Sequence, residues 1–378
     1  GEILALSDAI PLLLGALDGA TRAILAAYPT AEMAPGDILV INDPFAGGTH
    51  LPDLTLVLPV FCGGRVIAQV RRMVEAGSRP ATAVRLPGVY VDQVVCDPEM
   101  MMTTDVAYEP AYFSGRRLPL SALAAPPFSV DRIIANRVAA EVRPGELAIF
   151  GFGAATDVPL VMAETGRFDG GRLVDYPATT EHGAYGGIVM PGWQFSANIN
   201  PDALMDGLTQ FDAIDGGLCR FAALSFAEFD AAGVVNVSRF GSACPGAGGF
   251  IDIAQNARKV VFCGTFTNGG KVAVEGGSLR ILEEGPRRKF VQRVDQITFS
   301  GRYAHETGKP VLFVTERCVF ELLDGEITLT EIAPGLDVER DILAAMDFVP
   351  RIASELREMP AELFQPQWGG LRAHLTRD

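Results

Sequence analysis

Leu147-Ala148-Ile149-Phe150-Gly151-Phe152-Gly153 decides how this chain folds. A short apolar strand opens into glycines and then into a helix, which is the order of elements in an open α/β sheet. A helix over Val130 to Val142 precedes it and stops at Pro144-Gly145. The pattern returns downstream, where a helix over Phe250 to Ala257 leads into an apolar strand, Lys259 to Phe266. Between 271 and 335 the pattern shortens to strands at Lys271–Val274, Leu279–Leu282, Gln296–Phe299, Val311–Val314 and Val319–Leu322. Asn268-Gly269 signals a hairpin between the strand ending at Phe266 and the one starting at Lys271. Helical spacing predicts a closing helix pair, Val338 to Met346 and Pro350 to Met359. Toward the N-terminus, residues 4–28 carry helical spacing, with strands at 38–41, 54–58 and 66–70. Residues 77–128 are proline-rich and connect, with one strand near Val91–Val95.

The 378 residues are 48% hydrophobic and 20% charged, a globular composition with material for two or more cores. No run approaches the roughly 20 apolar residues of a membrane helix. The first residues have no basic n-region, and Gly1-Glu2-Ile3 reads as a cut chain. A net charge of −15 argues against nucleic acid and anionic membranes as partners. Cys62, Cys96, Cys219, Cys244, Cys263 and Cys318 are scattered, with no C-x-x-C pair. Most sit in apolar runs and read as reduced core residues of a cytoplasmic protein, and neither a zinc site nor a disulfide scaffold is indicated.

One carboxylate has no local partner. Glu181 lies in Thr179-Thr180-Glu181-His182-Gly183-Ala184-Tyr185-Gly186-Gly187, and between Arg172 and Arg220 there is no Lys or Arg. A carboxylate can attack an activated acyl group. That needs a water-poor pocket and donors aimed at the developing oxyanion, often amides freed by glycine. Pro245-Gly246-Ala247-Gly248-Gly249-Phe250 offers such amides just before a predicted helix. The plain alternative is an ordinary surface turn and a tight loop.

The stretch from about Val66 to about Met359 resembles class I coenzyme A transferases of the propionate/acetate type. The resemblance is carried by Leu86-Pro87-Gly88-Val89-Tyr90-Val91-Asp92, Thr180-Glu181-His182-Gly183, Asn198-Ile199-Asn200-Pro201-Asp202-Ala203, Gly248-Gly249-Phe250-Ile251-Asp252-Ile253 and further collinear segments to Thr315-Glu316-Arg317. It implies an α/β fold with an open, mostly parallel sheet flanked by helices. It implies that Glu181 is the covalent nucleophile and that Gly246, Gly248 and Gly249 form the oxyanion loop. Gly151 and Gly153 would approach the CoA, although Ala154-Ala155-Thr156-Asp157 departs from the family's shorter loop. The implied reaction is ping-pong CoA transfer from a short-chain acyl-CoA to a free carboxylate such as acetate, propionate or a 3-oxo acid. It passes through a glutamyl-CoA thioester and requires no cofactor, with CoA itself as substrate. His182 would either position Glu181 or be satisfied by local backbone. Arg317 reads as structural, buried against a carboxylate.

Residues from about Asp8 to Phe61 resemble the hydantoinase B / acetone carboxylase α-subunit group. Pro35-Gly36-Asp37-Ile38-Leu39-Val40-Ile41-Asn42-Asp43-Pro44 and Gly47-Gly48-Thr49-His50-Leu51-Pro52-Asp53 carry it. In the carboxylase branch that H-x-x-D pair binds metal with a later histidine. Here no histidine stands between His50 and His182, so His50 and Asp53 form an incomplete site. The expected organisation is a hydantoinase B-like α/β segment at 1–65, a remnant of the transferase's N-terminal half at 66–128, the catalytic half at 129–359 and a tail at 360–378. Most of the transferase's own N-terminal half is absent. That implies an exposed interface, hence a homo-oligomer, and leaves two other readings: an impaired rearranged chain, or a metal-dependent hydantoinase-type protein.

Overall fold

The computed structural model describes residues 22–34, 39–41, 55–57, 67–84, 87–102, 106–164, 176–195, 197–205 and 207–366. The chain divides into two compact units, Gly1–Glu109 and Pro110–Asp378. In the first, Leu39–Ile41 pairs antiparallel with Thr55–Val57, and Ile67–Val70 pairs parallel with Gln93–Cys96. All four strands fall where the sequence pattern predicts them. The expected N-terminal helix is seen at 22–27, and its earlier part lies outside the described residues.

The second unit is built on a ten-stranded sheet. Its strands are β1 (Ala148–Phe150), β2 (Ala178–Thr179), β3 (Ala184–Tyr185), β4 (Ala203–Leu204), β5 (Phe221–Ser225), β6 (Lys259–Cys263), β7 (Val311–Val314), β8 (Cys318–Leu323), β9 (Glu326–Ile332) and β10 (Arg351–Glu358). Their order across the sheet is β4-β3-β2-β1-β5-β6-β7-β8-β9-β10. The middle five, β2-β1-β5-β6-β7, are parallel. Their sequences are near-continuous apolar runs because parallel strands are buried on both faces.

Side chains of these strands alternate between two cores. Phe150, Ala223, Val261 and Val314 point to one, under α1 (Val130–Ala139) and α2 (Asp157–Glu164). Ile149, Ala222, Leu224, Val260 and Phe262 point to the other, with Ile214 of α3 (Gly207–Asp215) and Ile253 of α4 (Phe250–Asn256). The second core holds a phenylalanine cluster centred on Phe229, whose ring lies 4.0 Å from Phe313 and 4.8 Å from Phe290. Such ring pairs add about 0.5–1.5 kcal/mol each beyond the area they bury.

One buried ion network ties α1 to the sheet. Arg137 donates to Glu331 of β9 at 2.8 and 3.0 Å and to Glu141 at 2.6 Å, and Lys259 of β6 reaches Glu141 at 2.5 Å. Burial alone would raise the Glu141 carboxyl, but Arg137 and Lys259 outweigh it and hold it down to about 2. Arg137→Met strips Glu331 and Glu141 of their shared partner. Lys259 stays on Glu141 and Arg357 on Glu331, so the expected cost in urea unfolding is about 1.5–3 kcal/mol, that of losing hydrogen bonds between charged groups.

Three expectations change. Residues 351–358 form the edge strand β10, parallel to β9, not a helix. Ile352 and Leu356 have helical spacing, but the strand is tied by Arg351 to Asp324 and Glu326, and by Arg357 to Glu331 and Glu321. Pairing with β9 gives this segment partners across the sheet, and that tertiary context overrides local helix propensity. Asn268-Gly269 does not turn the expected hairpin: Thr267–Asn268 pairs with Arg287–Arg288, and Lys271–Glu275 folds back on Ser278–Glu283 through Gly276-Gly277. At 296–299 there is an isolated bridge between Phe299 and Val235 in place of a strand. Cys219, Cys263 and Cys318 are free and buried as expected, whereas Cys96 is exposed.

Because β2, β1, β5, β6 and β7 run the same way, their C-terminal ends share one edge of the sheet. That edge is where open α/β sheets bind ligands. The residues after β1, β2 and β5, and those before α4, all gather there.

Candidate active site

Strand β2 ends at Thr179, and the chain returns as β3 through a tight turn. Gly183 N–H donates to the Thr180 carbonyl at 3.1 Å, which makes Glu181 and His182 the two central residues of a β-turn. Gly183 has φ +85, and a Cβ there would strike the carbonyl oxygen of Met205. Met205 N–H in turn donates to the Gly183 carbonyl at 2.8 Å. From α3, the buried Gln210 donates Nε2 to Thr179 Oγ1 at 3.0 Å and to the Thr180 carbonyl at 2.9 Å, and accepts from Tyr185 Oη at 2.5 Å. The turn is therefore held from two sides.

Glu181 is 17% exposed at the side chain. Its Oε2 lies against Gly249, where an added Cβ would sit 2.7 Å from the oxygen and 2.8 Å from a Phe211 ring carbon. Gly249 precedes α4, while Gly246 and Gly248 have φ +85 and +55 in the loop leading to it. Two stretches 68 positions apart in sequence, Glu181 and Gly249, thus meet at the sheet edge. Among the described residues no Lys or Arg pairs with Glu181, and burial pushes its carboxyl up to about 7. His182 Nε2 stands 3.6 Å from Glu181 Oε1. Burial pulls that imidazole down to about 3, so it is neutral at ordinary pH and the two do not form an ion pair. Neither ring nitrogen has a hydrogen-bond partner among the described residues. Local backbone does not satisfy this histidine.

The chain is 40% identical to caffeate CoA-transferase of Acetobacterium woodii over 317 residues, 82% of this chain and 60% of that one. It is 30% identical to acetate CoA-transferase subunit beta of Escherichia coli K12 over 210 residues, 54% of this chain and 86% of that subunit. The chain belongs to the CoA-transferase family. Among solved structures, the acyl-CoA transferase YdiF apoenzyme of Escherichia coli O157:H7 superposes with a TM-score of 0.70 at 37% identity, covering 82% of this chain and 57% of that one. The same transferase in a thioester complex with CoA gives 0.67. This CoA-transferase chain spans about three fifths of the length of caffeate CoA-transferase and of the YdiF chain. Residues 1–75 match a second family, Hydantoinase B/oxoprolinase.

In this CoA-transferase chain, Gly151 and Gly153 follow β1 and pack on the end of β5. A Cβ on Gly151 would lie 2.9 Å from Leu224 Cδ2, and one on Gly153 (φ +96) 2.5 Å from Ser225 Oγ. Close packing explains both glycines. Their loop still reaches the Glu181 turn through rings: Phe152 meets Phe195 edge-on at 5.6 Å, and Phe195 meets His182 at 5.9 Å. Arg317 is structural as expected, buried, paired with Glu284 at 2.8 and 2.9 Å and stacked over Phe266. His50 and Asp53 lie outside the described residues. Among those described, no group of three His, Cys, Asp or Glu could hold a metal, and no helix is long and apolar enough to cross a membrane. Sequence reasoning missed Gln210, Phe195 and Phe211. A lone Gln in a helix and two isolated Phe carry no local motif, so only the fold brings them to Glu181.

Proposed function

We propose that this chain transfers CoA between a short-chain acyl-CoA and a free carboxylate, with Glu181 as the covalent acceptor. The observation that carries this is the meeting of a partly buried carboxylate, with no cation partner among the described residues, with Gly249 at the C-terminal edge of a parallel sheet. Glu181 attacks the thioester carbon, the C–S bond breaks, and an acyl-glutamyl anhydride and CoA thiolate result. The thiolate attacks the glutamyl carbon and the acyl carboxylate leaves, giving a glutamyl-CoA thioester. A second carboxylate reverses these steps with its own acyl group. Acyl activation is handed on rather than created, so the scheme calls for no cofactor beyond CoA. The loop of Gly246, Gly248 and Gly249, and the glycines at 151 and 153, are the residues we assign to the oxyanion and the approach of CoA. The family relationship supports CoA chemistry in general. The acyl group and its acceptor are our reading, as is a homo-oligomeric state in which another copy covers the interface left open.

The test is intact-protein mass spectrometry after incubation with acetyl-CoA or propionyl-CoA. A mass gain of one CoA less one water is expected, on the peptide containing Glu181. A folded chain that gains nothing across several short acyl-CoAs sinks the proposal. A second reading is a chain that keeps the fold without the activity. It predicts weak CoA binding with no adduct. The pH profile adds a check. The nucleophile is the ionised carboxylate, and its folded value is raised to about 7. Single-turnover adduct formation is therefore expected to rise with pH, to be half-maximal near 7 and level above 8. A rate already flat from pH 5 would contradict this.

A further inference from the structure

The reaction scheme leaves His182 without a role, yet its placement is unusual. Its side chain is 2% exposed, and Nδ1 and Nε2 both lack a partner among the described residues. Native chains leave few buried polar atoms unsatisfied, and those few call for a reason. The ring is not loose, because Phe195 packs edge-on against it at 80°. Nε2 faces Glu181 Oε1 at 3.6 Å, a few tenths of an ångström beyond a formed N–H···O bond of about 2.7–3.2 Å. Catalytic hydrogen bonds are often long in the free enzyme and tighten when charge develops. The ring is neutral and carries one N–H. The two oxygens of Glu181 therefore have different surroundings: Oε2 lies over Gly249, and Oε1 faces the imidazole.

We propose that His182 Nε2–H is the hydrogen-bond donor to Glu181 Oε1, binding the charge that develops on that oxygen during CoA transfer. This rests on the reading of Glu181 as the CoA acceptor. Oε2 attacks the thioester carbon and CoA leaves as thiolate, so Oε1 remains the carbonyl oxygen of the glutamyl group. When the thiolate attacks that carbon, the C–S bond forms and the π pair moves onto Oε1. As the pair returns, the bond from the glutamyl carbon to Oε2 breaks and the acyl carboxylate leaves with Oε2. No proton changes place. A neutral donor suits this step, because an imidazolium would protonate the thiolate that has to attack.

Three variants separate this role from packing. In His182→Gln the amide nitrogen falls near the place of Nε2. In His182→Asn it reaches only the place of Nδ1, and His182→Phe fills the volume with no donor. The first readout needs no turnover: a carbon-13 NMR titration of the Glu181 carboxyl, assigned with Glu181→Gln. Among the described residues no other charged group acts on Glu181, and burial is the sole cause of its shift. Loss of the donor is expected to raise its titration by about one pH unit in the Phe and Asn variants, with Gln close to the parent. The second readout is the rate of adduct formation. It should fall about 10²–10³-fold for Phe and Asn with the KM for acyl-CoA little changed, and less than tenfold for Gln. An unmoved Glu181 titration in a folded Phe variant overturns the donor assignment; if that variant does not fold, equal titrations for Asn and Gln overturn it instead. A parent chain that forms no adduct defeats the transferase reading, and the NMR titration then decides the donor on its own.

Discussion

Glu181→Gln is expected to abolish the CoA adduct, to lower CoA transfer by about 10⁴-fold or more, and yet to stabilise the fold at alkaline pH. The first two effects follow from losing the nucleophile itself. The third follows from burial. The folded carboxyl titrates at about 7 against an ordinary value of 4.5, so the folded chain holds this proton more tightly than the unfolded chain does. Stability therefore falls as pH rises from about 4.5 to 7, and the whole penalty stands above 7. It is on the order of 3 kcal/mol at most, because the side chain keeps some contact with water. Glutamine carries no charge and escapes the penalty. Urea midpoints should separate at pH 8, with the variant higher, and coincide at pH 4. A variant less stable at pH 8 would mean that the carboxylate has a partner that burial does not reveal.

Gly249→Ala is expected to cost about 10²–10³-fold in adduct formation although it removes no titratable group. The new methyl would sit 2.7 Å from Glu181 Oε2 and 2.8 Å from the Phe211 ring, both well inside ordinary contact. One of the two has to move. Displacing the carboxylate by even an ångström removes it from the attacking position, and misplacement of that size is costly to rate. Overpacking should also lower stability by about 1–3 kcal/mol. Adding Phe211→Leu separates the two effects. It gives the methyl room on the ring side, so the double variant should regain stability. The oxygen contact persists, so its rate should stay low. Full recovery of rate in the double variant would show that Gly249 serves the ring and not the carboxylate.

How much of this was legible beforehand depends on the range of the forces involved. Val311–Val314 and the strand at 148–150 read directly, because a strand buried on both faces has to be apolar along its whole length. The glycines around Glu181 and Gly249 left two readings open, a site or ordinary tight turns, because both need backbone without a side chain and leave the same mark on composition. Residues 351–358 did not read, because their helix-forming sequence is overruled by pairing with the neighbouring strand Glu326–Ile332. The role of Gln210 was invisible for the same reason: its partners Thr179 and Thr180 stand some thirty residues away. His182 was read as a choice between positioning and local satisfaction. The geometry removes the second, since neither ring nitrogen has a partner among the described residues.

The glycines that follow Glu181 have a consequence for how such chains are inherited. Gly183 abuts the carbonyl of Met205, Gly186 the carboxylate of Asp202 and Gly187 the carbonyl of Ile199. Three positions within five residues are thus keyed, one by one, to a segment twelve to twenty-two residues later. The two stretches form a single block for recombination. A gene fusion can place its joint ahead of this block, but a crossover or insertion between 183 and 205 would pair a turn with a mismatched counterpart. Any lineage that reshuffles this domain should therefore carry the two stretches together or lose the turn that presents Glu181.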